Sequence, residues 1–410
     1  MMNRRRLVIG ALVAVVGPGL LAGLSDDDPA GITTYSVLGA EHGYQFLWVL
    51  ALSTVALVLF HSLGARMGAV TGQGIIGLVR QRHGVAPAGG VLTALVIANV
   101  GTTCAEFAGI AAGGELFGIP RVISVPIAAI GVSFLVFRGS FHRVEHILIG
   151  LSAVFIAYIA SGILAHPDWG AAAKGLVVPT LPSSRDAIVI VTATLGTTLA
   201  PWGLAFIQSY AVDKKLRTED LRYERIDVTA GAVLTGVIGF FVVVACAATL
   251  YRNGQPINDA SDAARALEPL AGDLAGKLFG VGLIGAALLA ASILPLSTSY
   301  SVCEFIGVES ALDDTFSEAK PFYVTYGLVT AVAALVILIP GAPLISILVA
   351  TQVLNAILLI PLLIFMVGIG RDGELMGDQR ISKKMIVVYS ATIAIVVLCI
   401  GSLFIATVFA

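Results

Sequence analysis

The segment from Gly23 to Thr34, GLSDDDPAGITT, places three consecutive carboxylates, a proline and a glycine in a run that is otherwise apolar from Leu7 to Leu59, apart from a polar patch at Glu41 to Gln45. A carboxylate at bilayer depth costs several kcal/mol and marks a functional site with a partner. Asp-Pro-Ala-Gly at 28–31 has a counterpart in Ala-Pro-Trp-Gly at 200–203, again midway along an apolar stretch. In each, the proline removes a backbone hydrogen bond and the glycine tolerates unwound dihedrals. Unwinding strips carbonyls near Ser25 and Thr197 of helical partners, and lipid offers no replacement. A cation does. Asp28, those carbonyls, the Thr197 hydroxyl and the partial negative charge of the half-helix C-termini together make an all-oxygen, cation-seeking pocket.

Other polar residues in apolar stretches have two readings each. Successive helical residues point about 100° apart, so Asp26 and Asp27 either line a hydrated, cation-attracting vestibule or are simply solvated there. Glu106 shares a helical face with Asn99 and Thr102, and this stripe reads equally as an interhelical hydrogen-bond network or as a relay. Gln352, with Asn355 three residues on, has the pattern of interhelical glue. Trp202 fills space beside the second interruption. Of the six histidines, His61 is placed at the cytoplasmic end of the second span. His42, His83, His142, His146 and His166 are placed near span ends, and none falls in the interrupted stretches.

The elements that must position these groups are membrane helices. With 57% hydrophobic and 12% charged residues among 410, and a mean hydropathy of +0.95, the chain is too apolar for a soluble globular protein. Segments of about 20 apolar residues centre near residues 20, 54, 104, 130, 155, 200, 238, 292, 330, 357 and 396, giving eleven spans. The N-terminal MMNRRR begins a retained first span rather than a cleaved leader. Eighteen Lys and Arg fall on the N-terminal side against six on the other (Arg121, Lys174, Arg185, Arg252, Arg265, Lys277). That bias puts the N-terminus in the cytoplasm and the C-terminus outside a cell (plasma) membrane. The four cysteines all fall in apolar spans and read as core thiols. A net charge of −2 argues against nucleic acid as a partner.

The two interruptions lie five spans apart. Five is odd, so the second unit enters from the opposite face. The fold expected is therefore an all-α membrane protein forming one domain over 1–410. Residues 7–165 form a first repeat (spans 1–5), 186–370 a second, inverted repeat (spans 6–10), and 384–410 an added span 11. Helices 1 and 6 are discontinuous, as in LeuT-like transporters.

GPGLLAGLSDDDPAGITTYSVLGAEHGYQFLWVL resembles the first two spans of the NRAMP family of divalent-metal transporters, whose first break usually reads Asp-Pro-Gly-Asn. The likeness continues through TTCAEFAGIAAGGELFGIP, GTTLAPWGLAFIQS, ATQVLNAILLIPLL and ELMG, and covers nearly the whole chain. It implies that Asp28 is the metal-binding aspartate and that Gln352 approaches the ion during occlusion. It also exposes departures. Gly31 stands at the family's asparagine, Ala200 at its methionine and Trp202 at its histidine, and Thr103 with Glu106 replaces a pair of acids.

A thioether favours soft or borderline metals, whereas carboxylate, carbonyl and water suit hard cations. The missing sulfur, with the room expected at Gly31 and Ala200, suits partly hydrated Mg²⁺, which gives up water reluctantly. The pattern resembles the NRAMP-related magnesium transporters. The implied function is a monomeric secondary transporter or facilitator, not an enzyme, with Mg²⁺ (and Mn²⁺) as cargo, no cofactor, and alternating access across the lipid bilayer. Trp202 and Thr103 do not titrate near neutrality, which points away from proton coupling. The alternatives are a proton-coupled Mn²⁺/Fe²⁺ importer and, with less support, an Na⁺-coupled amino-acid transporter of the same architecture. No GxSxG or HExxH constellation supports a membrane hydrolase.

Overall fold

A computed structural model describes residues 23, 25–138, 157–181, 184–258, 260–308 and 316–408, and among them every regular element is helical. In hydrocarbon each backbone group needs an internal partner, which a helix supplies within its own segment. The principal helices are α1 (Pro29–His42), α2 (Leu47–Thr71), α3 (Ile75–His83), α4 (Val85–Glu115), α5 (Arg121–Phe137), α6 (Ala157–Leu164) and α7 (Trp169–Val177). They continue with α8 (Arg185–Thr198), α9 (Pro201–Asp213), α10 (Leu221–Thr249), α11 (Ala275–Ile306), α12 (Lys320–Ile337), α13 (Leu344–Gly370) and α14 (Lys383–Val408).

Among the described residues, eight stretches are long and apolar enough to cross a membrane, with α8 and α9 together forming one of them. The apolar helix α5 is shorter, at 17 residues. Expected spans 1 and 5 enter the description through their second halves, α1 and α6. Residues 1–22, 24 and 139–156, His142 and His146 among them, lie outside the described residues. The helices occur in the order of the eleven-span expectation, and the protein is an all-α membrane protein of LeuT-like architecture.

Burial separates the centre of the bundle from its edge. In the α8–α9 span 89% of the apolar window is buried, against 11% in α14. Every residue of α1 from Pro29 to Ala40 is buried, because α10, α8, α13 and α4 all pack on it. Ile123, Ile127, Ile130 and Phe134 of α5, Leu328 and Leu335 of α12, and Val387, Leu398 and Phe404 of α14 are exposed, the apolar surface expected toward lipid.

Small residues let the central helices approach closely. A Cβ at Gly196 would lie 1.8 Å from the Gln352 carbonyl oxygen, so α8 rests directly on the α13 backbone. Cross-links fix the rest. The hydroxyls of Tyr35 and Thr198 are 2.9 Å apart, tying α1 to α8. Glu304 of α11 accepts from Ile76 N at 3.2 Å and from Ser209 Oγ at 2.5 Å, which locks α3 and α9 to the end of α11. None of the four cysteines is in a disulfide.

Candidate metal site at two broken helices

Both breaks restart at a proline. Pro29 opens α1 and Pro201 opens α9, each in the first turn. Proline tolerates this position because the first N–H groups of a helix have no helical acceptor. It also carries no N–H for the carbonyl four residues back, which is Ser25 before one proline and Thr197 before the other. Asp28 (φ −76°, ψ 169°) and Ala200 (φ −60°, ψ 133°) are extended where a continuous helix would be αR. Ahead of the first break, the Gly23 carbonyl accepts from the Thr235 hydroxyl of α10.

Asp28 caps α1, its Oδ1 accepting from Gly31 N at 2.5 Å. The position a side chain would take at Gly31 is not open space. It lies 2.8 Å from the Asp26 carbonyl oxygen, 3.2 Å from Asp28 Oδ1 and 3.2 Å from Thr197 Oγ1. The room expected there is thus filled by three converging oxygens, drawn from both breaks. Thr197 Oγ1 is buried and has no hydrogen-bond partner among the described residues.

Asp26, Asp27, Asp28 and Glu106 are 2%, 2%, 4% and 0% exposed. The reading of Asp26 and Asp27 as merely solvated fails on that burial: Asp26, still helical, and Asp27, in the bend that follows, both lie in the interior. The three aspartates interact electrostatically, as do Asp28 and Glu106. Both Asp27 carboxyl oxygens lack a hydrogen-bond partner among the described residues, Glu106 meets Asp28 in a carboxyl–carboxyl contact, and no ion pair between described residues reaches any of the four acids. A buried charge in a protein needs a partner or a metal, and among the described residues this cluster has no cationic partner. No three His, Cys, Asp or Glu side chains converge in metal-ligand geometry among the described residues. The available donor set mixes carboxylate, carbonyl and hydroxyl oxygen.

The other candidate residues fall as follows. Ser25 is buried beside the aspartates. Ala200 carries no side-chain cap and packs with Trp202, Phe206 and Ile293. Trp202 is 1% exposed, and its carbonyl accepts from Ser297 Oγ at 3.1 Å, so the indole occupies space beside the second break. Along α4, Asn99 donates to Thr298 Oγ1 at 2.9 Å and Thr102 to Asn355 Oδ1 at 3.1 Å, while Thr103 bonds back to Asn99 O. The stripe therefore divides: its first two members are interhelical ties, and Glu106 alone faces Asp28. The Gln352 Oε1 accepts from Asn355 Nδ2 at 2.9 Å, and its backbone abuts Gly196, next to Thr197.

Sequence reasoning misplaced His61. It lies in the interior of α2, fourteen residues after Leu47, and is 1% exposed. Its ring faces Gly203 and the side of Asp26. The available signal was an imidazole inside the apolar run LALSTVALVLFHSLGARM, ten residues before the helix ends at Thr71.

Comparisons with known proteins agree with this architecture. Residues 19–406 match the family described as Nramp, natural resistance-associated macrophage protein-like. A Bacillus subtilis (strain 168) protein named divalent metal cation transporter MntH is 28% identical over 406 residues, covering 95% of this chain and 91% of that one. Among solved structures, the manganese transporter of Eremococcus coleocola superposes with a TM-score of 0.77 at 19% identity, over 97% of this chain and 88% of that one. A structure of MhsT in complex with L-phenylalanine gives 0.64 at 16% identity, over 95% and 98%. With two proline-broken helices, a buried acid cluster at their crossing and a family match along almost its whole length, the chain belongs to the Nramp family of divalent-metal transporters, which are not enzymes.

Proposed function

We propose that this protein carries Mg²⁺ into the cytoplasm, tolerating Mn²⁺, by alternating access and without moving protons. The observation that supports it is the oxygen set around Gly31: the Asp26 carbonyl, Asp28 Oδ1 and Thr197 Oγ1, with Ala200 rather than a sulfur residue at the second break. Such donors suit hard cations, and nothing in the set draws a soft metal away from Mg²⁺. Absence of coupling rests on Trp202 and Thr103, which stand where titratable groups would relay a proton. In this reading the protein is a monomer in the plasma membrane. The N-terminus is cytoplasmic and the C-terminus outside, as the Lys and Arg bias requires. Residues 7–165 and 186–370 act as the two inverted repeats.

A second reading, proton-coupled Mn²⁺ import, is favoured by the manganese transporter named among the structural relatives and by Glu106 beside Asp28. Amino-acid transport is disfavoured, since carboxylates at the first break repel a substrate carboxylate. Proteoliposomes separate these readings. Mg²⁺ is expected to enter and to compete with Mn²⁺ uptake while a luminal pH dye stays flat. Mn²⁺ uptake that Mg²⁺ does not compete with, or metal-dependent acidification of the lumen at a fixed ratio, selects the second reading.

A further inference from the structure

We propose that the cleft between the end of α3, the end of α13 and the start of α14 binds the phosphate headgroup of an anionic phospholipid. The cleft has a volume of about 880 Å³ and is lined by Arg82 of α3, by Arg371, Asp372, Asp378 and Arg380 from the connection between α13 and α14, and by Lys383, the first residue of α14. Cations from three separate segments thus meet in one place. The bias that gathers Lys and Arg on the cytoplasmic side sets their side of the membrane and does not require them to converge.

Part of the charge is already paired. Arg82 Nε lies 2.7 Å from Asp372 Oδ2, and its Nη1 lies 2.9 Å from Glu374 Oε2. No ion pair among the described residues engages Arg371, Arg380 or Lys383, and the lining acid left to face them is Asp378. Like charges held in one cleft repel, and an anion entering it relieves that repulsion. Guanidinium forks match phosphate oxygens bidentately, and a lysine adds a point charge. The backbone around them is fixed in advance. Ile381 N donates to Gly370 O at 2.9 Å, which closes the connection 371–380 at its base. Asp372 Oδ1 accepts from Glu374 N at 2.8 Å, at the start of the short helix Gly373–Met376, whose Met376 is buried. A prearranged site loses less entropy on binding.

The surroundings favour a lipid over a soluble anion. Gly370 ends one membrane span and Lys383 begins the next, so the cleft lies at the level of the phospholipid headgroups. Ile386, one turn into α14, also lines it. Beside it Val387 and Val388 are exposed, on the span that is the least buried of the eight. Acyl chains attached to a phosphate in the cleft continue along that apolar face. Basic pockets between helices at the membrane surface take phospholipid headgroups in this manner. In the proposed orientation the leaflet is the cytoplasmic one, and binding is independent of which cation the protein carries.

The purified full chain in a neutral detergent is titrated with phosphatidylglycerol, and bound lipid is counted by native mass spectrometry. The parent is expected to hold one phosphatidylglycerol at least tenfold more tightly than phosphatidylcholine, which carries no net charge. Arg371→Gln combined with Arg380→Gln should weaken that binding at least tenfold, and Lys383→Gln by a smaller factor. All three positions are exposed, and where the double variant is not monodisperse Lys383→Glu takes its place. Arg217→Gln combined with Arg222→Gln removes the same charge from exposed positions on the same side of the protein, outside the cleft, and should leave binding within twofold. Equal loss in the two double variants overturns the proposal in favour of general surface charge. Parent binding that does not distinguish the two lipids overturns it as well. Displacement of the lipid by an equal concentration of inorganic phosphate would do the same, by making the cleft a site for the free ion.

Discussion

The two breaks share a backbone device and differ in what they carry. Each restarts at a proline in the first helical turn after one extended residue. At the first, that residue is Asp28, whose side chain closes on Gly31 N and whose neighbours are two more aspartates. At the second it is Ala200, with no side-chain cap and apolar packing around it. Charge is thus concentrated on one helix, while the other contributes the Thr197 hydroxyl. The contrast shows that pseudo-symmetry fixes where the chain unwinds without fixing the chemistry there. In the proposed site one charged side is matched by an opposite half-helix that brings the Thr197 oxygen.

The largest expected effect separates the two duties of Asp28. Asparagine is as good an N-cap as aspartate, so Asp28→Asn should melt like the parent. Its Mg²⁺ uptake should nonetheless fall at least tenfold, a loss of about 1.4 kcal/mol or more. Asp28→Ala should lose uptake as well as the cap, for a further ~1 kcal/mol of stability. Uptake within twofold of the parent in Asp28→Asn would break the comparison by removing the charge from the site.

Next comes Gly31→Ala. Its methyl group would meet the Asp26 carbonyl at 2.8 Å and the other two oxygens at 3.2 Å, forcing the cluster apart. Mg²⁺ uptake should drop several-fold with little change in the fraction of folded protein. Parent-like kinetics in Gly31→Ala would show that these oxygens are not the ligands. Thr197→Val keeps the volume and deletes the hydroxyl. Losing one hydrogen-bond-strength contact, about 1 kcal/mol, should weaken Mg²⁺ affinity about fivefold, read as an increase in KM. An unchanged KM would leave the second break with backbone and space alone.

The smallest effect on Mg²⁺ itself, and the most selective, is expected from Ala200→Met. Adding a thioether at the uncharged break should tilt competition toward Cd²⁺ and Mn²⁺. Crowding among Trp202, Phe206 and Ile293 costs part of the gain, overpacking being worth about 1–3 kcal/mol. Uptake of Mg²⁺, Mn²⁺ and Cd²⁺ measured in parallel tests this, and identical ratios in parent and variant would place selectivity outside the second break.

The sequence by itself determined the class of protein and the location of the breaks. Length and apolarity demand helices in lipid, and a proline midway along an apolar run removes one specific hydrogen bond wherever the chain folds. Asp28, Pro29, Thr197 and Pro201 were legible for that reason, since their effects act through the local backbone. What only the tertiary structure decided concerns contacts between distant segments. Gly31 looked like room and is instead the point where oxygens from residues 26, 28 and 197 converge. Asn99 and Thr102 looked equivalent to Glu106 on one helical face, yet they are tied to α11 and α13 while Glu106 turns to Asp28. His61 read as a residue near a span end, and it faces Gly203 and Asp26, which are remote from it in sequence. A periodic pattern gives the direction of a side chain on its own helix. Which group meets it there depends on how closely neighbouring helices approach, and that is set by small residues such as Gly196 and Gly203 acting on partners more than a hundred residues away.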